Sequence, residues 1–148
     1  RQAIDSPAPA LWWGSLEGDS GLIGEQRRIL VVDDEAHVRK LLQRTLEEAG
    51  YDVITAASGQ EALEKISSFD LSLMLLDIMM PGLDGFGVLE RIPPELNIPV
   101  IMLSAICDER TKIDSFGLGA DDYIEKPFLA EELLTRIKVK LRRTMPGS

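Results

Sequence analysis

The chain has 148 residues, 45% of them hydrophobic and 28% charged, with a formal net charge of −9. That length supports a single hydrophobic core, no apolar run approaches the roughly 18 residues a membrane span needs, and the acidic balance argues against direct nucleic acid binding by this segment, because the phosphate backbone would repel it. One cysteine, Cys107, and one histidine, His37, exclude an intrachain disulfide and a zinc site made of Cys and His, so the expected setting is the reducing cytoplasm.

Residues 1–26 are rich in Gly, Pro and Ser, show no helical or strand period, and carry a net charge of −3 from Arg1 against Asp5, Glu17, Asp19 and Glu25. This is linker composition. The adjacent Trp12 and Trp13 read as incidental or loosely packed, with docking in a groove as the other possibility. The chain opens on Arg1 without a basic region followed by an apolar stretch, so it reads as an excised or processed piece and not as a secretion signal.

From Arg27 onward a strand-then-helix pattern repeats five times, giving a domain over 27–143 and a short tail over 144–148. Apolar runs at 29–32, 53–56, 71–76, 98–103 and 122–124 predict buried strands, too short for helices. In the first helix Val38, Leu41, Leu42, Thr45, Leu46 and Ala49 share one face, and Gly50 ends it as a left-handed cap. Ser58 with Glu61 predicts a capping box for the second. The third runs from Asp84 to Ile92, before Pro93 and Pro94. The fourth, over 109–118, has the weakest pattern. The fifth turns Leu133, Leu134, Ile137 and Leu141 inward, with Arg136, Lys138, Lys140, Arg142 and Arg143 outside and towards its end, where the helix dipole favours cations. Alternating strands and helices predict right-handed crossovers and a doubly wound, flavodoxin-like α/β fold with a parallel sheet ordered 2-1-3-4-5. Its functional crevice lies outside the carboxyl ends of strands 1 and 3.

The residues following the strands are Asp33 and Asp34, Asp77, Ser104 and Lys126. Carboxylates about 5 Å apart at an effective dielectric near 20 repel by roughly 3 kcal/mol per pair, and a cation is the simplest remedy. Oxygen-only ligands point to Mg²⁺ or Mn²⁺. Singly, each aspartate is equally readable as a helix or turn cap. Convergence on one crevice favours chemistry: a carboxylate attacks phosphorus once the phosphoryl charge is screened, and a hydroxyl such as Ser104 then donates to the new phosphoryl oxygens.

Four motifs carry a family resemblance: Val31-Val32-Asp33-Asp34-Glu35; Asp77-Ile78-Met79-Met80-Pro81 with Gly85; Leu103-Ser104-Ala105; and Asp121-Asp122-Tyr123-Ile124-Glu125-Lys126-Pro127-Phe128. Together they resemble the receiver domains of bacterial two-component response regulators, most closely the subfamily that dimerises before binding DNA through a winged-helix domain. The resemblance implies Asp77 as phosphoacceptor, with Mg²⁺ ligated by Asp77, Asp34 and the Met79 carbonyl and reached by Asp33 through a water. It implies Lys126 as the partner of the phosphoryl group, Ser104 as the hydroxyl that moves towards it, Tyr123 as the aromatic that swings inward, and a cis Lys126-Pro127 bond.

A sensor histidine kinase is the implied phosphodonor. A homodimer on phosphorylation is implied through the fourth helix, fifth strand and fifth helix, where Lys112 with Glu132 and Asp122 with Arg136 match cross-interface pairs. Gly117 stands where that subfamily usually has an acidic partner. Met79 and Ile106, two residues past Asp77 and Ser104, flank the phosphoryl group where hydrolytic water approaches. Both are apolar, so slow self-dephosphorylation is expected.

Other readings are a flavin-binding protein on the same fold, which needs a Ser, Thr and Gly-rich phosphate cradle where this chain has Asp33-Asp34-Glu35, and an aspartyl phosphatase, which needs an Asp-x-Asp after strand 1. A C-terminal receiver of a hybrid histidine kinase is a third. His37 reads as a solvated helix-surface residue, and Cys107 as a loop or edge residue.

Overall fold

In the computed structural model, which describes residues 27–106 and 108–144, five strands alternate with five α-helices. They are β1 Arg28–Val32, α1 Ala36–Glu48, β2 Asp52–Ala56, α2 Gly59–Ser68, β3 Leu73–Asp77, α3 Gly85–Arg91, β4 Val100–Ser104, α4 Glu109–Gly117, β5 Asp122–Glu125 and α5 Ala130–Thr144. A 3₁₀ turn, Pro94–Leu96, lies between α3 and β4. The sheet is parallel throughout and ordered β2-β1-β3-β4-β5, as the alternation predicts. The predicted linker with Trp12 and Trp13, Cys107, and tail residues 145–148 lie outside the described residues.

Successive strand residues point to opposite faces, and this splits the core into two layers. Ile29, Val31, Leu73, Leu75, Ile101 and Leu103 pack against Leu42 and Leu46 of α1 and Leu133, Ile137 and Leu141 of α5. Leu30, Val32, Met74, Leu76 and Met102 pack on the other face against Ala62 and Ile66 of α2 and Val88 and Leu89 of α3. The central strands β3 and β4 are buried along their whole length, whereas the edge strand β2 is only half-buried except at Ala56.

Local differences from expectation have physical causes. β4 starts at Val100 and not at 98, because Pro99 has no N–H to give the ladder and only its carbonyl is used, by Met74 N at 2.9 Å. β3 and β4 each run one residue further than predicted, so Asp77 and Ser104 are the last residues of their strands. On α1 the buried stripe is narrower than expected: Leu42 and Leu46 are buried, Val38 and Thr45 half-buried, but Leu41 is 56% exposed and Ala49 is exposed.

Gly50 closes α1 with φ +100, its N–H donating to Glu47 O while Tyr51 N donates to Leu46 O, the paired bonds of a Schellman cap. Ser58 caps α2 as predicted, accepting from Glu61 N, but Glu61 Oε1 returns to the N–H of Ala57, one residue before the cap. Asp84 caps α3 and Asp108 caps α4, which is present despite its weak pattern.

Candidate functional site

Strand register assembles the site. In the parallel ladder Asp77 lies opposite Leu103, Ser104 lies opposite Glu125, and Lys126 N extends the ladder to Ser104 O at 2.8 Å. Three consecutive strands thus stop level with one another, and their terminal side chains fall at one edge. On the other side of β3, β1 ends at Val32 beside Leu76, which brings Asp33 and Asp34 to the same edge. One ligand oxygen from each of Asp33, Asp34 and Asp77 lies within 4.8 Å of the others. Asp33 and Asp77 are buried, at 1% and 5% exposure, while Asp34 faces solvent.

Neither acid of the pair caps α1. Glu35 occupies the N-cap position without a side-chain cap bond, and Asp33 Oδ1 instead accepts from Glu35 N at 2.9 Å, which tightens the turn out of β1. A contact not anticipated from the sequence braces that turn: Arg39 donates to the Asp33 carbonyl at 2.7 Å. Helical side chains lean towards the helix N-terminus, so an arginine in the first turn is placed to reach back to the strand end. That directional rule was the available signal.

Lys126 Nζ sits 2.8 Å from Asp33 Oδ2 and 3.6 Å from Asp77 Oδ1, entering from β5 beside a cis Lys126-Pro127 bond. Burial pushes the Asp77 carboxyl up to about 6 from 3.8, the Asp33 charge adds to this, and Lys126 and the Met79 backbone N–H oppose it. For Lys126, burial alone favours the neutral amine, but the hydrogen bond it donates to Asp33 and the charges of Asp77 and Asp33 outweigh it and hold the ammonium above its ordinary range. The oxygen-only donors, with one oxygen from each within 4.8 Å of the others, fit a hard divalent cation.

Gly85 lets α3 approach the site from behind: a Cβ there would lie 2.5 Å from Asp77 O. The loop between them is closed by Gly85 N donating to Ile78 O at 2.9 Å, with Ile78 and Met80 buried and Met79 exposed at 62%.

The two predicted switch residues meet at Ile106. Ser104 is fully buried, and its Oγ accepts from Ile106 N at 3.1 Å. Tyr123 is 7% exposed, its ring is packed in the core, and its hydroxyl donates to the Ile106 carbonyl. The Lys112 ammonium lies over the Tyr123 ring at 5.8 Å from its centre. Among the predicted dimer-face residues, Asp122 and Arg136 pair within one chain at 2.9 and 3.1 Å, and Arg136 also reaches Glu132 at 3.3 Å. His37 is exposed on α1, as expected.

The geometry has parallels among known proteins. The sequence profile of the response regulator receiver domain matches residues 29–138. The chain is 48% identical over 124 residues to the probable transcriptional regulator ycf27 of Porphyridium aerugineum, an overlap of 84% of this chain and 52% of that protein. It is 46% identical over 119 residues to the alkaline phosphatase synthesis transcriptional regulatory protein PhoP of Bacillus subtilis (strain 168), an overlap of 80% and 50%. The solved receiver domain of the Francisella response regulator 1452 superposes with a TM-score of 0.77 at 36% identity, covering 81% of this chain and 100% of that one. The chain spans about half the length of the curated relatives it matches. With the strand order, the acidic crevice and the profile in agreement, the chain belongs to the response regulator receiver domain family.

Proposed function

We propose that residues 27–143 form the phosphoacceptor switch of a two-component phosphorelay, working in the cytoplasm and taking a phosphoryl group from a sensor histidine kinase onto Asp77. The observation that carries this reading is the placement of one buried carboxylate, Asp77, between the Lys126 ammonium and the Asp33 and Asp34 oxygens at the end of the central strand. The Asp77 oxygen attacks phosphorus as the bond from phosphorus to the donor nitrogen breaks, and that electron pair leaves with the imidazole. Asp34, Asp77 and the Met79 carbonyl would hold Mg²⁺, with Asp33 reaching it through a water, and the ion would supply screening of the phosphoryl charge. Lys126 pairs with the phosphoryl oxygens, and the Asp77 backbone is held from behind by the close approach of Gly85. Ser104 donates to a phosphoryl oxygen, a contact that exists only in the phosphorylated state. The domain is a switch and not a turnover enzyme, and it assists its own phosphorylation and slow self-dephosphorylation.

The output follows from the α4-β5-α5 face. Ile113 and Phe116 of α4 are 55% and 48% exposed, Lys112 lies on the same helix, and Asp122, Glu132 and Arg136 lie on β5 and α5. That combination supports homodimerisation on phosphorylation. Resemblance to transcriptional regulators of which the match covers about half supports transcription control through an effector region, with residues 1–26 as linker and 144–148 as tail. Incubation with a small phosphodonor and Mg²⁺ tests the central claim by intact mass. Wild type gains one phosphoryl group and Asp77→Ala gains none, while a gain that survives in Asp77→Ala removes the assignment. Sedimentation of the two samples tests the dimer.

A further inference from the structure

The residues proposed to hold the metal come from the end of β1, the end of β3 and the loop after β3, yet α2 also approaches that loop closely. A Cβ on Gly59, the first residue of α2, would lie 2.4 Å from the Leu83 carbonyl oxygen, 2.9 Å from Leu83 Cβ and 3.0 Å from Leu83 Cγ. Gly59 is buried, and Leu83 is packed onto the core layer that holds Ile78 and Met80. From the opposite side Leu83 Cδ1 would meet a Cβ on Gly87 of α3 at 2.4 Å. Leu83 therefore sits in a notch with a bare α-carbon on each wall, one on α2 and one on α3.

The two walls differ in what they touch. At Gly87 the atoms met are all in side chains, Leu83 Cδ1 at 2.4 Å and Leu83 Cγ and an Arg91 guanidinium nitrogen at 3.3 Å, and a methyl group there is accommodated by side-chain rotation. At Gly59 the closest atom is a backbone carbonyl, and restoring ordinary contact moves the main chain of the loop by roughly 1 Å. That loop is short and closed on itself by Gly85 N and Ile78 O. It also carries Met79, whose N–H stabilises the Asp77 carboxylate. A shift at Leu83 has little slack to absorb it before Met79.

We infer that Gly59 is a positioning residue for the phosphoacceptor site. Its missing side chain lets α2 seat the Leu83 backbone, and this sets the position of the Met79 backbone beside Asp77. The inference rests on the proposed reading of the Met79 carbonyl as a Mg²⁺ ligand. A cation that tolerates little departure from octahedral geometry reports such a shift directly.

The experiment is calorimetric titration of Mg²⁺ into wild type, Gly59→Ala, Gly87→Ala and Leu83→Ala chains, each checked for fold by circular dichroism. Gly59→Ala weakens Mg²⁺ by about tenfold, the size typical of losing support behind a metal ligand. Gly87→Ala binds as wild type does. Leu83→Ala, which empties the notch while leaving Gly59 in place, also binds more weakly, and it decides the matter if Gly59→Ala does not fold. A folded Gly59→Ala that loses thermal stability but keeps wild-type Mg²⁺ affinity assigns Gly59 to packing alone and overturns the inference. Equal weakening in Gly87→Ala overturns the argument from the backbone. A wild-type chain that neither binds Mg²⁺ nor takes up phosphoryl from a small donor instead removes the proposed function, and the inference with it.

Discussion

The Lys126 ammonium is hydrogen-bonded to Asp33 at 2.8 Å, closer than its 3.6 Å approach to Asp77. The lysine thus stabilises both buried carboxylates of the cluster, Asp33 as well as Asp77. Lys126→Ala leaves Asp33, which is 1% exposed, without its cation, and removing one member of a buried pair costs about 3 kcal/mol. Urea unfolding in the presence of a chelator is expected to show that loss, and to show part of it restored by Mg²⁺. A variant as stable as wild type without metal contradicts this account of the cluster.

Asp77 gives a stability difference that depends on pH. Its carboxyl is lifted to about 6 in the fold from 3.8, so the native state holds a proton that the unfolded chain has already released. The associated stability is fully present below the unfolded value and is lost as pH rises through the folded value, amounting to about 3 kcal/mol in the metal-free chain. Asp77→Asn, which stays neutral, is expected to be more stable than wild type near neutral pH and equal to it by about pH 4. Denaturant midpoints measured across that range check the sign, and a gap that widens on acidification refutes it.

Phosphate lifetime is the next prediction. Met79 is exposed two residues past Asp77 and Ile106 lies two residues past Ser104, and neither side chain can orient a water. Replacing both in Met79→Asn with Ile106→Glu is expected to speed loss of phosphate roughly tenfold or more, the low end of what a positioned polar group contributes. The decay is read after the phosphodonor is removed. Loss as slow as wild type, or slower, counts against the idea.

Tyr123 offers a test of the readout. Its hydroxyl donates to the Ile106 carbonyl from a largely buried position, so Tyr123→Phe is expected to cost about 1 kcal/mol of stability while leaving phosphoryl uptake by Asp77 intact. Thermal unfolding and intact mass measure the two effects separately. Loss of uptake in this variant places Tyr123 in the chemistry instead of downstream of it.

What was legible in the sequence was whatever repeats or lies at the end of a predicted strand. The alternation of apolar runs with helical stripes predicts the sheet order, and the residues at the strand ends predict Asp33, Asp34, Asp77, Ser104 and Lys126 at one edge. Strand starts were less legible, because Leu71 and Ile98 are as apolar as the residues that follow, and only the missing N–H of Pro99 marks where the β4 ladder begins. Leu41 illustrates a similar limit: a stripe at helical spacing does not reveal how wide a face the sheet covers. Hidden altogether were contacts set by how one helix packs against its neighbours. The seating of Leu83 against Gly59 depends on how α2 and α3 pack, which no local pattern encodes.

The two hydrogen bonds at Ile106 use only its backbone: the N–H holds Ser104 and the carbonyl holds Tyr123. Wiring and timing are therefore separable at this residue. On the proposed function, its side chain is open to evolutionary change that shortens or lengthens the phosphate lifetime, while the connection from the Ser104 hydroxyl to the Tyr123 ring passes unaltered through the main chain.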